Sequence, residues 1–484
     1  MTIKDLKPAL IWDLFDQITK VPRPSKHEEK MTEFLVNFAK EHNIEYKADA
    51  AGNVAMFRPA TKGHENAPRV ILQGHMDMVC VANDGVKHDF FNDPITTIID
   101  GEWVTADGTT LGADNGIGVA AGLAVMLDKD LVTGPVQALF TVDEETSMGG
   151  ANNLGEGMID GDILLNLDSE EDGEICIGCA GGVGTSATFT FSPTPAPADY
   201  KYISITFKDF QGGHSGTDID TERANANKLI MRFVWNTMAK RDVKVASVDA
   251  GDKHNAIPVK ANIVIGVKPE FVDETIAELN EFAEVIKNEY KRTEKDIKVL
   301  SEIVATPETI IDDDTAKRLV AAVYSGPHGV FHMSKEIEGL VDTSTNLASI
   351  KMVDNKIIVD TLQRSSMESR KEEISGLVEA HFTLAGATVE HSDPYPGWAP
   401  NMDSPILNIA MKTYERLFNS SAKASAIHAG LECGLFLTNY PNLDMISFGP
   451  TLQGVHSPKE KMHIPAVAKF WTFLTAILEE VANK

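Results

Sequence analysis

Val70-Ile71-Leu72-Gln73-Gly74-His75-Met76-Asp77 is an apolar run that stops at a glycine and then presents an imidazole and a carboxylate. Such a run reads as a strand buried on both faces, with its two polar side chains just beyond the end. The same grammar recurs. Ala138-Leu139-Phe140-Thr141-Val142 precedes Asp143-Glu144-Glu145, Ile163-Leu164-Leu165-Asn166-Leu167 precedes Asp168, and Met445-Ile446-Ser447 leads towards His456. In open α/β sheets ligands gather outside the carboxyl ends of strands, so residues far apart in sequence are expected to share one site.

Taken singly, a His-x-Asp is ordinarily a hydrogen-bonded pair and a Glu-Glu a solvated face. Recurrence of strand-then-ligand leaves that bland reading with four coincidences to explain. Gly112-Ala113-Asp114-Asn115-Gly116-Ile117-Gly118 adds a fifth, a carboxylate among glycines just before a helical run from Val119 to Leu127. His75, Asp114, Glu145, Asp168 and His456 make a mixed oxygen and imidazole set suited to a pair of zinc-like ions, with Asp77 and Glu144 close beside them. The glutamate doublet leaves one carboxylate free for acid–base work, and the pattern points to hydrolysis.

At 484 residues the chain exceeds one ordinary core, so two domains are expected. A formal net charge of −27 argues against nucleic acid and anionic membrane as partners, since both need a basic surface. The N-terminus has an amphipathic pattern, Leu10-Ile11-Trp12 with Leu14-Phe15 and Ile18, and no signal-peptide core. No apolar stretch approaches the about 20 residues that span a bilayer. A cytoplasmic location is expected. Four cysteines suit a reducing compartment, and Cys176-x-x-Cys179, with no second pair, reads as structural thiols.

After the first helix, Val21-Pro22-Arg23-Pro24 forces a turn, and Ser25 with Glu28 predicts a capping box for a second helix to about Glu41. Strands and helices then alternate to about Gly182, describing an α/β unit with a largely parallel sheet. A Pro-rich stretch from Ser192 to Asp199 follows. From about Tyr200 to Glu390 two passes of strand, helix, strand, strand, helix suggest a duplicated α+β module. The first runs through Ile203–Phe207, Glu222–Ala239, Ala261–Val267 and Val272–Tyr290; the second through Ile297–Leu300, Asp314–Val323, Lys356–Leu362 and Lys371–Leu384. Since His456 follows this region and the other candidate ligands precede it, the expected architecture is a discontinuous α/β catalytic domain, 1–186 and 395–484, its mostly parallel central sheet flanked by helices. An α+β lid domain, 187–394, is inserted into it.

Segments over nearly the whole chain resemble the di-zinc peptidase family that includes carboxypeptidase G, aminoacylase, carnosinase and the bacterial dipeptidases. They include Gly74-His-Met-Asp-Met-Val79, Thr109-Thr-Leu-Gly-Ala-Asp-Asn-Gly-Ile-Gly118, Thr141-Val-Asp-Glu-Glu145, Asn166-Leu-Asp-Ser-Glu-Glu171, Gly212-Gly-His-Ser-Gly216, Tyr395-Pro-Gly-Trp398, His428-Ala-Gly-Leu-Glu-Cys-Gly434 and Ser447-Phe-Gly-Pro450. The resemblance implies that His75 and Asp168 hold one Zn²⁺, Glu145 and His456 a second, and Asp114 bridges them, with Co²⁺ or Mn²⁺ able to substitute. It implies Glu144 as general base, Asp77 as the residue that orients His75, and His214 as an oxyanion donor acting within its own chain or across a homodimer. Arg364 resembles the arginine that clamps a substrate carboxylate, with Asn255 as helper and Arg370 as the rival. Arginine suits that task through its bidentate fork. Asp168 stands where the carboxypeptidase and deacylase branches place glutamate, which favours the dipeptidase branch. The implied activity is hydrolysis of Xaa-His and other short dipeptides, β-alanyl-histidine (carnosine) among them. Tripeptidase or N-acyl amino acid deacylase activity is the alternative, and a non-catalytic binding protein is disfavoured because none of the seven positions is missing.

Overall fold

The computed structural model describes residues 2–484. The chain forms two compact units: residues up to Gly178 with Pro400–Ala426 and Leu431–Lys484 make the first, and Cys179–Ala399 with Ile427–Gly430 the second.

The first unit is built on an eight-stranded sheet. Its four middle strands, in the order Val136–Thr141, Val70–His75, Ile163–Asn166 and Asp444–Ser447, run parallel. Val54–Arg58 and Glu174–Cys179 flank them antiparallel. Parallel alignment brings the carboxyl ends of four strands to one edge. Val70–His75 and Val136–Thr141 are buried along their whole length, as continuous apolar runs demand. The helix Ala113–Leu127 is buried over nearly all of its length, and a Cβ at Gly118 would collide with the carbonyl of Leu167 and the side chain of Asn115. Glycine there lets the helix lie close to the strand ends.

Two expectations are corrected. The helix begins at Ala113, ahead of the expected Val119, with non-helical backbone at Asp114 and Asn115. Ser25 and Glu28 form no capping box: Ser25 bonds the Met78 carbonyl, whereas Glu28 is itself the residue before the helix Glu29–Glu41 and accepts from the backbone of Lys26 and Asp143.

The second unit carries a nine-stranded sheet with an internal pattern. Lys201–Lys208, helix Ala226–Met238, Lys244–Ala250, Ala261–Val267, helix Val272–Glu289 and Lys298–Val304 form a βαββαβ module. A second such module takes its first strand from Gly181–Thr190 and continues with helix Asp313–Ser325, Val341–Val353, Lys356–Ser365, helix Glu368–Leu384 and Thr388–His391. Numbered within each module, both place their strands in the order fourth, first, third, second, and the two second strands meet antiparallel through Asp249 and Lys351. The strand expected at Ile297–Leu300 therefore closes the first module instead of opening the second. The first unit ends before the expected residue 186 because Gly181–Thr190 pairs along its length with Lys356–Ser365. One core of this unit joins Phe189, Ile205, Phe207, Ile263, Val359 and Phe382. Among the described residues no helix is long and apolar enough to cross a membrane.

Candidate metal centre

Five strand or helix ends deliver the candidate ligands. His75 is the last residue of its strand, Glu144 and Glu145 open the turn of helix after Val136–Thr141, and Asp114 sits in the first turn of Ala113–Leu127. Asp168 follows Ile163–Asn166, and His456 lies at φ 58° after the short strand Leu452–Gln453.

His75 Nε2 lies 3.0 Å from Asp114 Oδ1 and 3.3 Å from Asp168 Oδ1. His456 Nε2 lies 3.1 Å from Asp114 Oδ2 and 2.8 Å from Glu145 Oε2. Asp114 thus turns one oxygen to each histidine. Two ligand-sized groups result, His75 with Asp114 and Asp168, and Asp114 with Glu145 and His456. A third grouping joins His75 to Glu144 and Glu145. One Nε2 proton cannot serve two carboxylates at once, and Asp168 Oδ1 is buried without a hydrogen-bond partner. The donor set, imidazole nitrogens and carboxylate oxygens converging with too few protons between them, fits divalent cations.

Asp77 is fully buried and ties the pieces together. Its Oδ1 lies 3.2 Å from His75 Nδ1, and its carboxylate accepts from the backbone N–H groups of Glu144 and Glu145 at 3.0 and 3.2 Å. Burial works to raise its carboxyl, but the hydrogen bonds from His75, Ser25 and Glu144 prevail and hold it at about 2. It therefore remains an acceptor that orients His75. Glu144 goes the other way. Burial, with Asp168, Glu432 and Glu145 nearby, pushes its carboxyl well above the ordinary range despite the opposing influence of His75.

Three charged residues around this centre were not legible as functional. Arg23, buried, donates to the carbonyls of Met76, Asp77 and Gly112. Glu460, 2% exposed, accepts from the backbone N–H of Leu111, Gly112, Ala113 and Asp114 at 2.7, 2.9, 2.7 and 3.3 Å. Ala113 and Asp114 lie in the helix's first turn, and Leu111 and Gly112 just ahead of it, so one carboxylate gathers the donors around the helix start. Glu432, within the quoted His428–Gly434 motif, is buried beside the strand ends.

The remaining candidates belong to the second unit. His214 Nδ1 accepts from the N–H of Gly216 and Thr217, both at 3.2 Å, and its Nε2 lies 3.4 Å from Arg364 Nη2. Burial lowers its pKa, Arg364 lowers it further, and Asp218 opposes them. Arg364 is 4% exposed; its Nη1 donates to Tyr395 Oη at 2.7 Å, and its Nε and Nη2 reach Ser215 Oγ at 3.4 Å. Arg370 is instead bound to the buried carboxylate of Asp342. Asn255 is exposed and meets the His214 segment through its backbone carbonyl, which accepts from Ser215 N–H at 2.9 Å.

A carboxylate that turns one oxygen to each of two histidines, with further carboxylates beside them, is the arrangement of a metal-dependent hydrolase. The sequence pattern of peptidase family M20/M25/M40 matches residues 71–480, and the chain belongs to that family. It is a peptide hydrolase. It is 41% identical over 482 residues to the cytosol non-specific dipeptidase of Escherichia coli strain K12, covering 100% of this chain and 99% of the relative. The crystal structure of an aminoacylhistidine dipeptidase from Vibrio alginolyticus superposes with a TM-score of 0.90 at 44% identity, covering 99% of this chain and 98% of the other. A tripeptidase from Staphylococcus aureus shares the fold alone, at 15% identity and a TM-score of 0.56, with 99% and 100% of the chains covered.

Proposed function

We propose that this chain is a cytoplasmic metallo-dipeptidase that hydrolyses Xaa-His and other short dipeptides, β-alanyl-histidine included. The observation that carries the reading is Asp114, whose two carboxylate oxygens face His75 and His456 separately. The full-length relatives named for dipeptide hydrolysis support the substrate class, and the name of the E. coli relative supports the location. His75 and Asp168 would hold one ion, Glu145 and His456 the other, and Asp114 both, with zinc as the native metal and cobalt or manganese as substitutes. Such a pair, when bound, makes a water acidic enough to ionise near neutrality and polarises the scissile carbonyl.

The chain's own residues supply the rest. Glu144 takes the proton of the attacking water and passes it to the leaving amine, and its raised pKa suits both transfers. Asp77 holds the His75 ring and the Glu144–Glu145 backbone in one arrangement. His214, its ring held through Nδ1 by two backbone amides, serves as donor to the oxyanion. Arg364 takes the substrate carboxylate, with Asn255 as helper; Arg370 is already committed to Asp342. The inserted second unit acts as the lid that bears these groups. The family resemblance extends to a homodimer, which sedimentation tests.

The deciding experiment measures metal-loaded protein on Xaa-His, Xaa-Gly and Xaa-Leu dipeptides, tripeptides and N-acetyl amino acids, before and after chelation. Dipeptides are expected to be the best substrates, with activity lost to chelator and restored by zinc. Preferred turnover of N-acetyl amino acids, or full activity after exhaustive demetallation, overturns the reading.

A further inference from the structure

Beneath the metal ligands lies a file of buried polar side chains with no part in the chemistry above. Ser169 Oγ lies 2.8 Å from Ser447 Oγ, and Ser447 donates to Asn166 Oδ1. Asn166 Nδ2 donates to Gln73 Oε1 at 2.5 Å, and Gln73 Nε2 donates to Glu432 Oε2 at 2.7 Å. Thr141 Oγ donates to that same oxygen at 2.8 Å. Asn166, Gln73, Thr141, Ser447 and Glu432 are each no more than 2% exposed. The file crosses all four parallel strands, one residue from each, and every donor points towards Glu432.

Its members sit next to the ligands. Gln73 is two residues before His75 on the same face of one strand, Asn166 is two before Asp168, and Thr141 closes the strand that leads to Glu144 and Glu145. An amide can present either end to a neighbour, so a chain of amides has two directions, and only a terminal group without a donor selects one. Glu432 Oε2 is that group; a proton on Oε1 leaves it so. Reversing any interior amide sets donor against donor in a buried, water-poor layer, which pushes the strands apart.

We propose that Glu432 is a positioning residue for the metal centre: as the terminal acceptor of this file it fixes the direction of the Gln73 and Asn166 amides and thereby the lateral spacing of the strand ends that carry His75, Asp168 and Glu145. The inference rests on the metal-centre reading given above. A parent protein that takes up no cobalt(II) would refute that reading; failure of the file alone shows as normal uptake in every variant.

The test removes the terminal acceptor and then restores it. Glu432→Met leaves Gln73 Nε2 and Thr141 Oγ without their acceptor, whereas Glu432→Gln keeps an oxygen in the place of Oε2 and sets its NH2 where the unpartnered Oε1 stood. Cobalt(II) titration with its visible absorption spectrum, kcat, KM and thermal melting are read on the three full-length proteins. Glu432→Met is expected to lose about tenfold or more in cobalt affinity and kcat, with an altered spectrum and KM within about twofold. Glu432→Gln keeps the parental spectrum and most of kcat. Glu432→Met with parental affinity and spectrum overturns the proposal. So does a Glu432→Gln variant no better than Glu432→Met, whether the failure is in folding or in metal binding.

Discussion

Glu144 and Glu145 are neighbours in the chain with separate tasks. Glu145 lies against His456, while Glu144 is the glutamate with the raised carboxyl. Glu144→Gln should lower kcat by about 10²-fold or more with both metals retained, because it removes proton transfer and little else. Glu145→Gln should instead release one metal, and metal analysis beside initial rates separates the two; equal metal loss in both contradicts the assignment. Arg364→Ala should cost an unblocked dipeptide about 10²-fold in kcat/KM and erase discrimination against its C-terminal amide, since the arginine's partner is the free carboxylate. Parallel assays on Xaa-His and its amide measure this. His75, Glu145 and Asp168 were legible as candidates because each follows an apolar run too strong to be anything but a strand, whereas Asp114 stood out only by its glycine-rich segment. Glu460 was not. Between Lys459 and Lys461 it reads as a solvated turn, and only the tertiary fold folds it under the helix start.

At the scale of elements, the helix Ala113–Leu127 depends on a residue from the far end of the chain. Glu460 receives the amides of Ala113 and Asp114 in its first turn and those of Leu111 and Gly112 just ahead of it. Glu460→Ala should leave buried N–H groups unpaired and lower the stability of the metal-free first unit by about 2 kcal/mol or more. Glu460→Gln, which keeps an acceptor, should lose less. Denaturant midpoints of the metal-free proteins check this, and an unchanged midpoint for the alanine variant refutes it. The sequence conceals Val341–Val353 for a related reason. Asp342, Thr343, Ser344, Thr345, Asn346 and Ser349 break the apolar alternation that marks a strand, yet all are buried. Their side chains are met by Ser365, Gln363 and Asp360 across the hairpin and by His428 from much later in the chain, partners that a reading along one strand does not show.

Across the whole molecule, buried histidine sets an acid limit. His428 is 5% exposed, bonds Ser344 Oγ through Nε2 at 2.7 Å, and is lowered to about 3 by burial first, then by Arg364 and His214 against the opposing Asp342. The unfolded chain binds this proton below about 6.5 and the folded chain only near 3, so stability falls as pH drops through that window, by about 1.4 kcal/mol per pH unit for one histidine. His428→Gln should flatten the slope of unfolding free energy between pH 6.5 and 5 by that amount; an unchanged slope contradicts it. The interleaved modules of the second unit bear on how the protein is made. Gly181–Thr190 pairs with Lys356–Ser365 and Thr388–His391. On the ribosome this strand emerges before an entire βαββαβ module that it does not pair with, and it must wait until that module and most of its own have been synthesised. The interval is a period of exposed edge and a long loop closure, the circumstances in which nascent chains aggregate or recruit chaperones.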